Sequence, residues 1–191
     1  MSSVSLGNLE RALAQGKDKR SEFPGPPGGP QMCGDIDIRI ARDGTWHYLG
    51  SPIGRKRLVK LFASVLKRDE SGDFWLITPA EMCRIKVDDA PFTAVEMTVD
   101  SDNHGQKLIF RSNIDEIVTA GPDHPIRVEI DSETGEPSPY IMIRDGLEAL
   151  IVRSVFYDLV ELGEERQVDG RAMLGVRSSG KFFAIGSLEN A

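Results

Sequence analysis

The sequence has few cysteines and no long apolar run. It contains 2 cysteines in 191 residues, and Cys33 and Cys83 belong to no CxxC pair. Outside a secretory context, two such residues are typical of reduced, packed thiols. No stretch approaches the roughly 18 apolar residues of a membrane helix, and residues 1–15 lack the apolar core of a signal peptide. We therefore expect a cytoplasmic protein that neither spans a membrane nor is secreted.

Motifs that mark common enzymes and metal sites are also missing. The chain has no Gly-x-Ser-x-Gly elbow, no dinucleotide glycine fingerprint and no phosphate-binding loop. Its 3 histidines, His47, His104 and His124, have no zinc spacing. Asp35 and Asp37 lie two apart on a predicted strand, and we interpret them as a solvated polar face rather than a metal-binding pair. We predict no cofactor and no metal. The missing motifs make an enzyme less expected but do not exclude one.

The charge balance is acidic. The 30 acidic and 23 basic residues give a net charge of −7, which works against a broad nucleic-acid or anionic-membrane contact. The chain is 40% hydrophobic, which is ample for a packed core. We expect a soluble protein with no nucleic-acid partner.

Hydrophobic patterns divide the chain into an arm and two α+β domains. Leucines at helical spacing, followed by a Pro/Gly-rich stretch, predict a helix and an arm over residues 1–33. Residues 34–90 and residues 91–191 each contain alternating strand patterns and one strongly amphipathic helix. The fold class predicted is therefore α+β, with two domains after the arm.

Each domain is predicted to have one main helix with a marked start. In the first domain, Ser51 is expected as the N-cap and Pro52 as the first helical residue. In the second, the helix is expected over residues 147–162. Asp145 would be its N-cap, and Glu148, three residues later, would complete a capping box.

Two short motifs recur in the same order in both halves. Residues 38–44 and 141–146 are isoleucine-rich strands that end in Arg-Asp-Gly, and residues 71–77 resemble residues 179–185. The first motif precedes the predicted helix and the second follows it. Coincidence is the alternative, because Asp-Gly and Ser-Gly are common turn dipeptides. The ordered recurrence favours an internal duplication of a strand–turn–helix–hairpin block.

Several motifs together resemble one bacterial family. They are IRIARDGTW (38–46), SPIGR (51–55) leading into LVKLF (58–62), GPDHP (121–125) and RDGLEALI (144–151). This combination is similar to the uncharacterised domain-of-unknown-function family 1285, and the resemblance covers residues 34–186. It implies a duplicated core whose second half superficially resembles a pleckstrin-homology barrel. It also implies a ligand site between the halves and a link to signal transduction, but no catalytic residue.

Basic residues at the start of the first helix are candidate ligand-binding residues. Arg55 and Arg57, with Lys56 between them, fall where backbone N–H groups and the helix dipole favour an anion. The alternative is that acids such as Asp69 or Asp88 neutralise this cluster on the surface.

Further candidates lie in the second half. Arg144, Arg153 and Tyr157 would line the groove between the halves, since Arg153 and Tyr157 share a helix face. The alternatives are that Arg144, like its equivalent Arg42, forms a structural pair with an aspartate, and that Tyr157 extends the apolar stripe.

His124 is the sixth candidate. It stands between Asp123 and Pro125, where it could act as an acid–base group or hydrogen-bond an anion. A turn-stabilising hydrogen bond is the commoner role for such a residue and is favoured.

These observations predict a binding or regulatory protein for a small anionic ligand or peptide. One alternative is a small hydrolase-like enzyme that uses His124 with Asp123 or Asp115. Another is a homo-oligomeric interaction protein joined through a free edge strand.

Overall fold

The structure is a computed structural model that describes residues 30–103 and 105–188. The chain divides into two compact units, Met1–Asp89 and Ala90–Ala191. Within these described residues, each unit has its own sheet and one helix, so the fold is α+β with two related halves, as predicted. The helix predicted for the N-terminal arm lies outside the described residues.

The described part of the first unit is a six-stranded sheet with one helix. Its strands are ordered β3-β2-β1-β6-β5-β4, and every neighbouring pair is antiparallel except β1 and β6, which are parallel. The elements, in chain order, are β1 (Gln31–Ile40), β2 (Trp46–Tyr48), β3 (Ser51–Pro52), α1 (Lys56–Ser64), β4 (Leu66–Arg68), β5 (Phe74–Ile77) and β6 (Glu81–Val87).

One face of this sheet forms the core of the first unit. Ile38 and Ile40 of β1 are 1% and 0% exposed, while Arg39 between them is exposed, as strand alternation requires. Helix α1 packs on the buried face, where Phe62 stacks on Trp46 with ring centroids 6.2 Å apart. The opposite face is therefore free to carry charged side chains.

The second unit has a six-stranded sheet, a three-stranded sheet and one helix. The larger sheet has the order β10-β11-β12-β7-β8-β9, in which β12 and β7 are parallel. The elements are β7 (Phe92–Asp102), β8 (Gly105–Ser112), β9 (Ile117–Thr119), β10 (Ile126–Ile130), β11 (Pro137–Arg144), β12 (Leu147–Ile151), α2 (Arg153–Glu161), β13 (Glu164–Val168), β14 (Arg171–Ser178) and β15 (Lys181–Ser187).

A buried serine joins the two sheets of the second unit. Ser178 Oγ accepts a hydrogen bond from the Leu108 amide at 2.9 Å and donates one to the Ala120 carbonyl at 2.7 Å. Ser178 is 0% exposed. One hydroxyl therefore satisfies two buried backbone groups that would otherwise be costly to bury.

The two units share the same local order of elements. In each, an Asp-Gly turn joins two antiparallel strands, a helix follows, and a later hairpin contains a Ser-Gly turn. The structure adds one strand or more between the Asp-Gly turn and the helix, and the second unit also has β13 between the helix and the hairpin.

The start predicted for the second helix is wrong. Residues Leu147–Ile151 form β12, and α2 begins at Arg153, with Val152 as an N-cap that makes no side-chain hydrogen bond. Asp145 and Gly146 instead form a tight hairpin turn with φ values of 46° and 76°. Positive φ at both central residues matches the twist of a two-residue hairpin, so the turn continues the chain as a strand.

The start predicted for the first helix is also wrong. Ser51–Pro52 form β3, and α1 begins at Lys56, with Arg55 as its N-cap. Leu49 and Gly50 have φ values of 49° and 75°, so they turn the chain back against β2 before the helix begins.

The prediction of two reduced thiols is wrong as well. Cys33 and Cys83 form a disulfide with Cα atoms 5.2 Å apart, and no described cysteine is free. The two residues are 50 positions apart in the sequence, but β1 and β6 are neighbours, and Cys83 lies opposite Gly34. Their spacing along the chain gives no sign of this pairing.

The close approach at Gly175 generates a stability prediction. A Cβ atom there would lie 2.2 Å from Phe182 Cζ and 2.6 Å from the Phe183 carbonyl oxygen. Because the carbonyl is backbone and cannot rotate away, Gly175→Ala should lower the free energy of unfolding by about 1–3 kcal/mol. Urea titration followed by circular dichroism measures this loss.

Gly186 in the same three-stranded sheet is the matched control. A Cβ atom there meets nothing within 4 Å, so Gly186→Ala should change stability by no more than about 0.5 kcal/mol. Equal stability of the two variants would contradict the packing described for Gly175.

Candidate functional site

The parallel pairing of β1 with β6 is interrupted. Asp35 lies opposite Arg84 and Arg39 lies opposite Lys86, so β1 advances by four residues while β6 advances by two. Within the interruption, β1 bonds to the strand on its other side, and the Asp37 carbonyl accepts a hydrogen bond from the Leu49 amide at 3.0 Å. Such bulges separate strands locally and redirect side chains, and they are frequent beside functional sites.

A groove of about 460 Å³ lies at this interruption. It is within the roughly 300–1,000 Å³ range of small-molecule sites. Its apolar lining includes Ile36 and Phe74. Five charged residues line it: Asp35, Asp73, Arg84, Lys86 and Asp88. We call this feature the β1–β6 groove.

Arg84 organises one end of the β1–β6 groove. Its Nε and Nη2 atoms donate to the two carboxylate oxygens of Asp35 at 2.6 and 3.1 Å, and its Nη1 donates to Asp73 at 3.3 Å. The guanidinium also lies over the Trp75 ring, 5.9 Å from the centroid. The hydrogen bond from Arg84 lowers the pKa of Asp35, and the two aspartates raise that of Arg84.

A second arginine–aspartate pair holds the other end. Arg39 Nε donates to Asp88 Oδ1 at 2.8 Å, and its Nη2 bonds the other carboxylate oxygen. This bidentate bond lowers the pKa of Asp88 below its ordinary value of 3.8. Both arginines thus use their fork of donors on carboxylates of the protein.

Lys86 lies between these two pairs. Arg84 and Lys86 alternate along β6, and Asp88 directly follows the strand at the same spacing, so the three side chains project to the same side. Lys86 is exposed, and within residues 30–103 and 105–188 its side chain makes no hydrogen bond or salt bridge, although its charge helps to lower the pKa of Asp35. The groove therefore presents an ammonium group with N–H donors that the described protein does not use.

A hydrogen-bonded turn supports the Trp75 side of the groove. The Trp75 indole Nε1 donates to Asp69 Oδ2 at 2.8 Å, and the other Asp69 oxygen accepts from the Asp73 amide, also at 2.8 Å. These bonds hold the β4–β5 turn, from which Asp73 reaches Arg84. The indole hydrogen bond is the main cause that lowers the pKa of Asp69 from 3.8.

The titration of Asp69 should be visible at the Trp75 indole. A group with a lowered folded pKa contributes stability above its unfolded pKa and loses that contribution as the pH falls through the folded value. In ¹⁵N–¹H spectra recorded during acidification, the Trp75 indole resonance should shift with a midpoint below 3.8.

Two controls belong to this titration. Trp46 Nε1 is buried with no hydrogen-bond partner among the described residues, so its resonance should stay constant until the protein unfolds. The variant Asp69→Asn should abolish the Trp75 shift. A midpoint at or above 3.8 in the wild type would contradict the assignment.

Two of the six predicted ligand residues stand at the start of α1. Arg55 is the N-cap residue and Arg57 lies in the first turn, which contains no acidic residue. Both are exposed, and neither side chain has a hydrogen bond or salt bridge within the described part of the chain. Neither lines the β1–β6 groove.

Three other predicted residues lie in the second unit. Arg144 donates to both carboxylate oxygens of Glu116, at 2.8 and 2.6 Å, and lies over the Phe92 ring. Arg153 lies 3.7 Å from a carboxylate oxygen of Glu136. Tyr157 is 58% exposed on the same side of α2 as Arg153. None of the three lines the β1–β6 groove.

The equivalent arginines of the two Asp-Gly turns both bind carboxylates. Arg42 pairs with Asp89 at 3.0 Å, as Arg144 pairs with Glu116. Asp43 of the first turn accepts a hydrogen bond from the Thr45 amide at 2.8 Å. Both arginines therefore form ion pairs within their own unit, but the partner of Arg144 is a glutamate, and neither acid belongs to the arginine's own turn.

His124 stabilises the turn in which it lies. Its Nδ1 atom is 3.0 Å from the Met142 carbonyl oxygen, and because a carbonyl only accepts, Nδ1 is the donor. The Met142 amide in turn donates to the Pro125 carbonyl at 3.1 Å. This is the turn-stabilising role that the sequence favours.

Replacing His124 should therefore cost stability. His124→Ala should lower the free energy of unfolding by about 0.5–1.5 kcal/mol, the value of one such hydrogen bond. His124→Asn, whose amide can donate from nearly the same position, should retain most of it. Thermal unfolding followed by circular dichroism compares the variants.

Asp123→Ala is the control for this comparison, because Asp123 is exposed and adjacent. It should change stability by no more than about 0.5 kcal/mol. An alanine variant of His124 as stable as the wild type would contradict the role assigned to the Nδ1 bond.

Sequence reasoning missed the residues of the β1–β6 groove. Asp35 does lie on an exposed strand face, as expected, but its partner there is Arg84. The available signal is the alternation of charged residues from Asp35 to Arg39 in β1 and from Arg84 in β6 to Asp88 directly after it. Strands with complementary alternation are candidates for neighbours in a sheet.

Two further findings concern the whole described chain. Among residues 30–103 and 105–188, no group of three or more His, Cys, Asp or Glu side chains is arranged to hold a metal ion. The same residues include no helix with the length and apolarity needed to cross a membrane.

Comparisons with known proteins give matches over both units. Residues 28–90 match the N-terminal domain, and residues 91–185 the C-terminal domain, of a family described as of unknown function, DUF1285. No curated protein matches the chain.

Two crystal structures are similar to the chain. A DUF1285 family protein from Silicibacter pomeroyi DSS-3 is 44% identical, with 98% of each chain covered and a TM-score of 0.82. A DUF1285 family protein from Shewanella baltica OS155 is 27% identical, with 66% of this chain and 91% of that chain covered and a TM-score of 0.53.

Proposed function

The chain belongs to the DUF1285 family, and we propose that it is a binding protein whose β1–β6 groove takes a small ligand with a carboxylate or phosphate group. The observation that carries this proposal is Lys86, an exposed cation in a groove of about 460 Å³. Lys86 acts on Asp35 through charge alone, because Arg84 holds that carboxylate, and the ligand would supply a hydrogen-bonded anionic partner for Lys86.

The neighbouring charges favour one anionic group rather than several. Asp35 and Asp73 are bound by Arg84, and Asp88 is bound by Arg39. These pairs leave Lys86 as the donor that needs no broken ion pair to bind a ligand. A highly charged polyanion would meet three lining carboxylates and be disfavoured.

The groove also supplies apolar surface. Ile36 and Phe74 line it beside the charged residues, and the Trp75 ring is adjacent under Arg84. Small-molecule sites combine apolar walls with a few fixed polar groups, and the ion pairs here fix the polar groups in place. A ligand with a short apolar body and one acidic group, such as a phosphorylated metabolite or a short peptide, fits this combination.

The distribution of charge along the chain also favours an anion site in the first unit. Met1–Asp89 contains 14 Lys and Arg against 12 Asp and Glu, whereas Ala90–Ala191 contains 9 against 18. The net charge of −7 therefore arises in the second unit, and the first unit is mildly basic. An anion approaching the first unit meets no general repulsion from it.

The other sequence-based expectations stay predictions. They include the ligand site between the halves, the link to signal transduction, the hydrolase-like enzyme and the homo-oligomer. For the enzyme hypothesis, the Nδ1 atom of His124 is already used by the Met142 carbonyl, which leaves Nε2 as the atom for acid–base work.

A thermal-shift screen tests the proposal. The full chain is screened against nucleotides, phosphorylated metabolites and short peptides, each at a high concentration. A ligand at 100 times its dissociation constant should stabilise the folded state by about 2.7 kcal/mol. Hits should lose most of this effect in Lys86→Gln, which removes the charge and leaves a polar side chain that is one atom shorter.

Lys181→Gln is the matched control, because Lys181 is also exposed on a strand but lies in the second unit. It should bind each hit as the wild type does. The proposal would be overturned by a panel without hits, or by a hit that both variants bind with unchanged affinity.

A further inference from the structure

We infer that the Cys33–Cys83 disulfide is a modification site, where a low-molecular-weight thiol attacks the sulfur of Cys33. This goes beyond ligand binding in the groove and does not depend on it. The inference comes from the unequal burial of the two cysteines and from their position at the start of β1 and within β6.

The two sulfurs of the bond differ in access. Cys83 is 0% exposed and packs in the buried layer, where its strand partner on β5 is Leu76, also 0% exposed. Cys33 is half-buried, between Met32, which is 63% exposed, and Gly34. Thiol–disulfide exchange requires a direct approach of the thiolate to one sulfur. The Cys33 sulfur is therefore the one that a thiol from solvent can reach.

Local backbone geometry keeps the surroundings of Cys33 open. Met32 lies opposite Met82 and Gly34 lies opposite Cys83, so Cys33 is an extra residue of β1 at a second irregularity of the β1–β6 ladder. Gly34 has a φ of 80°, and a Cβ atom there would meet nothing within 4 Å. A thiol approaching along this side of β1 meets no side chain at position 34.

The reaction balances with two thiols. The first thiolate attacks the Cys33 sulfur, the bond to Cys83 breaks, and the Cys83 sulfur leaves as a thiolate that takes up a proton. A second thiolate then attacks the small-thiol sulfur of this mixed disulfide, the bond to Cys33 breaks, and the Cys33 sulfur leaves as a thiolate that takes up a proton. The products are two cysteine thiols and one oxidised disulfide of the small thiol.

The Cys33–Cys83 disulfide lies next to the start of the β1–β6 groove. Directly after it in the ladder, Asp35 lies opposite Arg84, the pair that forms one end of the groove. Before the disulfide, at the start of β1, the Gln31 amide donates a backbone hydrogen bond to the Ala80 carbonyl at 2.8 Å. Opening the disulfide should therefore loosen residues 31–35 while the rest of the sheet stays paired.

Trapping the mixed disulfide tests the inference. The full chain is purified without reductant, and its thiols are counted in denaturant with Ellman's reagent, before and after dithiothreitol. The expected counts are none and two. The native oxidised protein is then treated with reduced glutathione, quenched in acid, alkylated with N-ethylmaleimide and mapped by peptide mass spectrometry.

Glutathione should be found on the peptide that contains Cys33, and N-ethylmaleimide on the peptide that contains Cys83. Hydrogen exchange of residues 31–35 should become faster after reduction, with no change in the second unit. The inference would be overturned if the purified protein already contained two thiols, or if glutathione were found on Cys83. It would also be overturned if glutathione reacted with the disulfide only in denaturant. Unchanged hydrogen exchange at residues 31–35 would overturn the link to the groove.

Single-cysteine variants give an independent comparison. Cys83→Ser leaves the accessible Cys33, and Cys33→Ser leaves the buried Cys83. In native protein, N-ethylmaleimide should label the first at least about tenfold faster, since accessibility controls thiol modification. Equal labelling rates in the two native variants would contradict the inference. Circular dichroism checks that both variants fold. The trapping experiment uses the wild type and does not depend on these variants.

Discussion

The register of β1 on β6 is the constraint on which the first unit depends. These parallel strands occupy the middle of a six-stranded sheet, so the four remaining strands are placed by reference to them. The two ion pairs that span the strands, Arg84 with Asp35 and Arg39 with Asp88, each join residues 49 positions apart. They stand on either side of the interruption. The gap that forms the β1–β6 groove is thus bracketed by charge-assisted bonds, and a disulfide closes its outer end.

Much of the fold could be predicted, because burial on one face leaves a period in the sequence. The alternating isoleucines of β1 and the apolar stripe of α1 are examples, and both elements form where expected, apart from the start of α1. Residues Leu147–Ile151 show why the rest could not. Leu147, Ala149 and Ile151 are buried with a period of two, but Leu147, Leu150 and Ile151 also fit a helix. The positive φ angles of Asp145 and Gly146 decide between strand and helix, and the spacing of hydrophobic residues does not reveal these angles.

The candidate site was less predictable than the fold. The exposed arginines at the start of α1 follow from local sequence, whereas the turn-stabilising role of His124 is favoured from its place beside Pro125 but its partner, Met142 on β11, is 18 residues away. The groove and the disulfide depend on which strands are neighbours and on where their ladder slips. Lys86 becomes distinctive only when its neighbours in sequence, Arg84 and Asp88, are seen to be paired with Asp35 and Arg39 of β1.

The most direct test of this account is the pattern of nuclear Overhauser contacts between the backbone protons of β1 and β6. The structure predicts contacts that pair Asp35 with Arg84 and Arg39 with Lys86, and none that continue the ladder through Asp37. An unbroken ladder from the first pair would put Asp37 opposite Lys86. Contacts between Asp37 and Lys86 would show that the strands do not separate, and would contradict the groove on which the proposed function depends.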